Sequence, residues 1–162
     1  MKKYAIVAFL AIFTLSAQAE TLKVMETVKI SAPPAKVWEK IGHFADITWH
    51  PAVKSSDASD GDHVGSVRRL DVGGPILWGS LVAYKPMSYS YRVLDNGSNQ
   101  KVLPVSHYLA TIVVTPDGQG SEVTWSSTFE PAPGAEVETA HKAVVGLYRT
   151  GLDSLAKGFS TN

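Results

Sequence analysis

The chain has 162 residues, with 15 lysines and arginines against 15 aspartates and glutamates, and no cysteine. That balance gives no electrostatic reason to bind nucleic acid or anionic lipid. The missing thiols exclude disulfides, thiolate zinc sites, iron–sulfur clusters and cysteine catalysis, so an ordinary apolar core must hold the fold.

The chain opens "MKKYAIVAFLAIFTLSAQAE". Lys2 and Lys3, an apolar run from Tyr4 to Leu15 and an A-x-A ending at Ala19 are the parts of a secretory signal peptide, with cleavage expected after Ala19. The run is shorter than the roughly 20 residues of a membrane span. These features predict a periplasmic protein that keeps no membrane segment after cleavage. Residues 20–162 are expected to form one domain, slightly acidic once Lys2 and Lys3 are gone.

Next comes "TLKVMETVKI", in which Leu22, Val24, Val28 and Ile30 share one face, a strand signal. "SAPPAKVWEKIGHF" carries prolines suited to a first helical turn and places Val37, Trp38, Ile41 and Phe44 at helical spacing. A second short helical turn is predicted in "ADITWHP", ended by Pro51. From Val53 to Pro131 turn signals recur at "SDGD", "GG", "DNG" and "PDGQG". The segments between them are rich in Val, Ile, Tyr, Thr and Trp, and hairpins joined in sequence make an antiparallel meander. The closing segment places Val137, Val144, Tyr148, Leu152, Leu155 and Phe159 on one helical stripe, with Glu138 near its start and Lys157 near its end.

This order predicts an α+β fold: a curved antiparallel sheet of about seven strands wrapped around a long C-terminal helix, with two short helices after the first strand. A single helix does not fill so curved a sheet, which leaves a cavity between them. Gly151, beside the helical stripe, either enlarges that space or permits close backbone packing.

The segments "APPAKVWEKIGHF", "WHPAV", "GSVRRL" and "TPDGQGSEVTWSSTFEP", followed by the long helix, resemble the helix-grip superfamily. That group includes START lipid-transfer domains, the birch-pollen-allergen fold, plant abscisic-acid receptors and bacterial polyketide cyclase/dehydrase-like (SRPBCC) proteins. Together with the leader, "MSYSYR", "LPVSHYLATI" and "YRTGLDSL" are similar to the MxaD-type periplasmic accessory proteins of methanol oxidation. This resemblance implies a non-enzymatic role in promoting contact or electron transfer between methanol dehydrogenase and its cytochrome c acceptor. The superfamily resemblance implies two alternatives, a binding module for a small apolar ligand or a cyclase- or hydratase-like enzyme. Many superfamily members carry an acidic residue just before the segment matching "LVAY"; Gly79 stands there in this chain.

Several residues are candidates for the cavity. His50 could donate, accept or titrate near neutral pH, with Trp49 as an apolar wall, or the pair could simply pack a turn. Arg68 and Arg69 are adjacent in a strand and must point to opposite faces. Arg68, at the family's G-x-x-R position, is the choice for the inner face, against a surface pairing with Asp57, Asp60 or Asp71. His141 lies on the final helix's stripe as a polar cavity group or a satisfied core residue. Trp78, Tyr108, Trp125 and Tyr148 are candidate apolar lining. Tyr89 and Tyr91 share a strand face and would offer a partner contact if exposed. The histidines show no metal-binding spacing, and the phosphate, dinucleotide and nucleophile-elbow signatures are missing. No catalytic set, cofactor or metal is assigned.

Overall fold

The computed structural model describes residues 20–160; the leader lies outside the described residues. Ten elements follow in order: β1 (Leu22–Ile30), α1 (Pro34–Ile41), β2 (Ser55–Ala58), β3 (Val67–Asp71), β4 (Ile76–Lys85), β5 (Ser88–Val93), α2 (Gly97–Val102), β6 (Val105–Asp117), β7 (Gly120–Pro131) and α3 (Val137–Ser160). The seven strands form one antiparallel, curved sheet in the order β1-β7-β6-β5-β4-β3-β2. Helix α3 packs on β1 and β7, and α1 on β6 and β7. Among the described residues, no helix is long and apolar enough to cross a membrane.

The strands obey period two, and this alternation builds the core. On β7, Val123, Trp125, Ser127 and Phe129 turn inward; on β6, Tyr108, Ala110, Ile112 and Val114 do so. Leu77 and Leu81 of β4 and Tyr89, Tyr91 and Val93 of β5 continue the same buried face. Helix α3 covers it with Ala140, Val144, Tyr148, Leu152 and Leu155, while Val137, at its first turn, is 44% exposed.

The short helices differ from expectation in place. Residues 43–53 form successive turns, with Asp46 N–H donating to the His43 carbonyl and His50 N–H to that of Ile47. Asp46 Oδ1 accepts from both Thr48 N–H (2.8 Å) and Thr48 Oγ1 (2.6 Å), and Pro51 has no N–H to continue a helix. The second short helix is instead α2, inside a segment whose "DNG" reads as a simple turn. Asn96 caps it, its side-chain oxygen accepting from Asn99 N–H at 2.8 Å.

Candidate functional site

Between the sheet and α3 lies a cavity of about 70 Å³, lined mainly by apolar side chains. Its walls come from Leu70 of β3, Leu77 of β4, Val93 of β5 and Leu103 after α2. The partly exposed Val53, Val72 and Val102 also line it, so its rim joins the "WHP" corner, the end of β3 and the end of α2. Polar groups reach it from His50, Arg68, Tyr91 and Tyr108. Gly79 is part of the wall, and a Cβ there would fall 3.0 Å from the Arg92 carbonyl oxygen of β5.

His50 is 1% exposed. Its Nε2 lies 2.9 Å from the Leu147 carbonyl, and its Nδ1 is 3.2 Å from Ala52 N–H. A carbonyl can only accept and an amide only donate, so the ring is the neutral tautomer with its proton on Nε2. Burial lowers its pKa, and the hydrogen bond to Leu147 opposes that only in part. With both nitrogens engaged, His50 has no lone pair free for a substrate.

Gly151 makes this contact possible. A Cβ there would fall 2.4 Å from His50 Cδ2 and 3.1 Å from Trp125 Cζ3. The glycine therefore admits the His50 ring against α3, and close packing rather than a wider cavity is its role.

Behind His50 the aromatic groups partner one another. Tyr148 stacks on Trp125 with centroids 4.3 Å apart, and its hydroxyl makes a short hydrogen bond with that of Tyr108. Trp125 Nε1–H donates to the Tyr91 hydroxyl at 3.1 Å. Burial pushes the hydroxyls of Tyr91, Tyr108 and Tyr148 well above the ordinary tyrosine range, which keeps them protonated.

Arg68 is placed differently. It faces inward, 2% exposed, with its guanidinium 4.3 Å from the Phe44 ring centroid and 5.0 Å from that of Tyr91. Nη1–H donates to the Phe44 carbonyl at 2.9 Å, while Nε is buried without a hydrogen-bond partner. Arg69 points the other way, to 3.7 Å from Asp57.

Of the predicted lining residues, His50, Arg68, Tyr108 and Trp125 meet at the cavity. Trp49, Trp78, His141 and Tyr148 do not. Trp49 packs behind Trp125 at 5.6 Å and floors a separate groove between α1 and the end of α3. Trp78 pairs in register with Arg69, so the pleat turns it to the opposite face of the sheet. His141 is half-buried on α3, clear of the cavity wall, and Tyr148 lies one layer behind it. Tyr89 and Tyr91 do share a face, but it is the concave one. At 1% and 4% exposed, they cannot form a contact patch.

Sequence reasoning missed Asn99. It is 1% exposed and clamps α2 to β4, accepting from Trp78 N–H at 2.9 Å and donating to the Trp78 and Leu94 carbonyls. This clamp sets Val102 and Leu103 against the cavity. Its detectable signal was the capping asparagine at 96, followed by two apolar residues at 102 and 103.

The family model described as polyketide cyclase / dehydrase and lipid transport matches residues 21–159. The chain belongs to this family. Among solved structures, the protein XoxI from Bacillus cereus is similar at 28% identity, covering 85% of this chain and 94% of its own, with a TM-score of 0.75. A structure from Thermobifida fusca is 26% identical over 86% of this chain and 93% of its own, TM-score 0.70. Ara h 8.0201, at 17% identity, 88% and 100% coverage and TM-score 0.68, shares the fold. None of the curated proteins searched matches the chain. Within the polyketide cyclase/dehydrase and lipid transport family, the space between sheet and long helix is thus kept here as a small apolar cavity with one buried cation at its wall.

Proposed function

We propose that the protein is a binding module for a small, largely apolar ligand held between the sheet and α3. The observation that carries this reading is the cavity of about 70 Å³, walled by Leu70, Leu77, Val93 and Leu103 and opening towards a rim of valines. Water gains little from such walls, whereas an apolar body of a few heavy atoms would bury most of its surface there. General-base chemistry has no support from His50, whose nitrogens are both engaged, or from His141, which stands off the cavity.

The test is native mass spectrometry of the gently purified protein, paired with thermal melting before and after ligand removal. A ligand that binds only the folded state stabilises it by about 2.7 kcal/mol at a hundredfold excess over Kd. A bound small molecule, lost in a Val93→Phe variant that fills the cavity, is the expected result. Wild-type protein that carries nothing and melts identically with every small apolar probe would refute the reading.

The leader-like residues 1–19 support export to a periplasm. A second reading places the module beside methanol dehydrogenase and its cytochrome c, and rests on "WHPAV", "MSYSYR", "LPVSHYLATI" and "YRTGLDSL". Saturable acceleration of cytochrome c reduction by the purified dehydrogenase would support it. An unchanged rate across a wide concentration range would remove it for these partners.

A further inference from the structure

We infer that the ligand of this cavity carries a carboxylate and that Arg68 is its counter-ion, an inference that rests on the binding-module reading and names its ligand class. The starting point is an electrostatic imbalance. A guanidinium taken out of water loses several kcal/mol of hydration, which is recovered only when an anion and good hydrogen bonds replace the water. Arg68 has one protein hydrogen bond, to the Phe44 carbonyl, and otherwise meets the faces of Phe44 and Tyr91. Among the described residues no carboxylate oxygen lies within 4.0 Å of it.

The protein has not placed an acid where one would be simplest. In the β3–β4 register Arg68 stands directly opposite Gly79, on the face that turns into the cavity. A Cβ at 79 would fall 3.0 Å from the Arg92 backbone carbonyl oxygen, so the close approach of β5 accounts for the glycine, and no protein carboxylate stands opposite Arg68. Asp62 holds the preceding peptide, accepting from Phe44 N–H at 2.6 Å, and its other oxygen lies 3.2 Å from His43 Nδ1.

Two donors are left without an acceptor. Arg68 Nε–H and the Tyr89 hydroxyl are both buried without hydrogen-bond partners. The two lie side by side: burial pushes the Tyr89 hydroxyl pKa up, and the Arg68 charge together with a weak hydrogen bond from Arg68, beyond ordinary hydrogen-bond distance, partly offsets that push. Arg68 itself is part of the cavity wall, whereas Phe44 and Tyr89, which flank its guanidinium, stand outside that wall. A carboxylate suits an unpaired guanidinium, since its two oxygens can accept from the planar fork of N–H groups. A phosphate, with nearly two charges, would need a second cation, and Arg68 is the single cationic side chain in the wall. Leu70, Leu77 and Val93 would then hold a short apolar body.

The test uses the wild-type protein and two probes of the same shape, isobutyrate and isobutyramide, titrated by calorimetry at neutral pH. The proposal expects isobutyrate to bind at least about tenfold more tightly, a difference of about 1.4 kcal/mol. In Arg68→Gln, isobutyrate should fall to the affinity of the amide while the amide is unchanged. Equal wild-type affinities would overturn the carboxylate inference and leave the apolar binding module standing. Binding of neither probe, nor of neutral isobutane-sized solutes such as 2-methylpropanol, would overturn both. Should Arg68→Gln fail to fold, the wild-type comparison alone decides.

Discussion

The space between the sheet and α3 has two ends built on opposite principles. At the end of His50, Trp125 and Tyr148, the His50 nitrogens, Trp125 Nε1 and the Tyr91, Tyr108 and Tyr148 hydroxyls have partners, although Trp49 Nε1 and Ser127 Oγ beside them are buried without one, and Gly151 removes a side chain so that the rings can touch. At the end of Phe44, Arg68 and Tyr89, a cation and a hydroxyl are buried with donors unused, and opposite Arg68 stands Gly79, held without a side chain by the close approach of the Arg92 carbonyl. Both ends are aromatic, polar and buried, so residue type does not distinguish them. An unpaired charge does: each end leaves neutral donors over, but only the second buries a guanidinium with no anion beside it, a far larger cost than an unused neutral donor.

The largest expected effect strikes the end of His50, Trp125 and Tyr148. Trp125→Ala removes the ring that stacks on Tyr148 and donates to Tyr91, and chemical denaturation should show a loss of about 3–5 kcal/mol. A loss below about 1 kcal/mol would mean that this end is as loosely built as the other.

Gly151→Ala sharpens the comparison. Alanine gains about 1 kcal/mol of helix propensity over glycine, but its Cβ would collide with His50 and Trp125, an overpacking cost of about 1–3 kcal/mol. A net loss of about 1–2 kcal/mol is expected. Gly146→Ala and Gly158→Ala, whose added Cβ atoms meet nothing within 4 Å, should be neutral or stabilising by up to about 1 kcal/mol. If all three variants gain stability in thermal melts, close packing at Gly151 is disproved.

The smallest effect is a pH dependence. Burial holds His50 below the ordinary histidine value of 6.5, so below that pH the unfolded chain binds a proton that the folded one resists. Its contribution is fully present above about pH 6.5 and declines as the pH falls towards the folded pKa. Melting curves from about pH 8 to about pH 5 should show that decline in wild type and a flatter profile in His50→Gln. Asp46 belongs to a separate window: hydrogen bonds from Thr48 hold its carboxyl below the ordinary 3.8, so its contribution is lost only in stronger acid. Parallel profiles for wild type and variant would show that His50 is not held neutral by the fold.

Much of the fold was legible because periodicity is local. Alternation placed Arg68 and Arg69 on opposite faces, and the stripe from Val144 to Leu155 marked the side of α3 that covers the sheet. The same rule, carried one strand further, would have put Trp78 with Arg69 and Gly79 with Arg68, but register was needed to align them. Concave and convex faces read alike in sequence, so Tyr89 and Tyr91 could be taken for an exposed pair. Helix α2 was hidden because Asn96 and Gly97 serve a turn as readily as a helix cap.

By itself the sequence determined the antiparallel run of strands between a first short helix and a long last one, the apolar stripe of α3 and the adjacency of the two arginines, because these follow from backbone periods and turn chemistry. Only the tertiary structure decided that His50 is closed against Leu147 and Ala52, that Gly151 admits it, and that Arg68 faces a glycine instead of an acid. Those facts depend on contacts between residues distant along the chain, and whether a buried polar group is satisfied is a property of its neighbours in space.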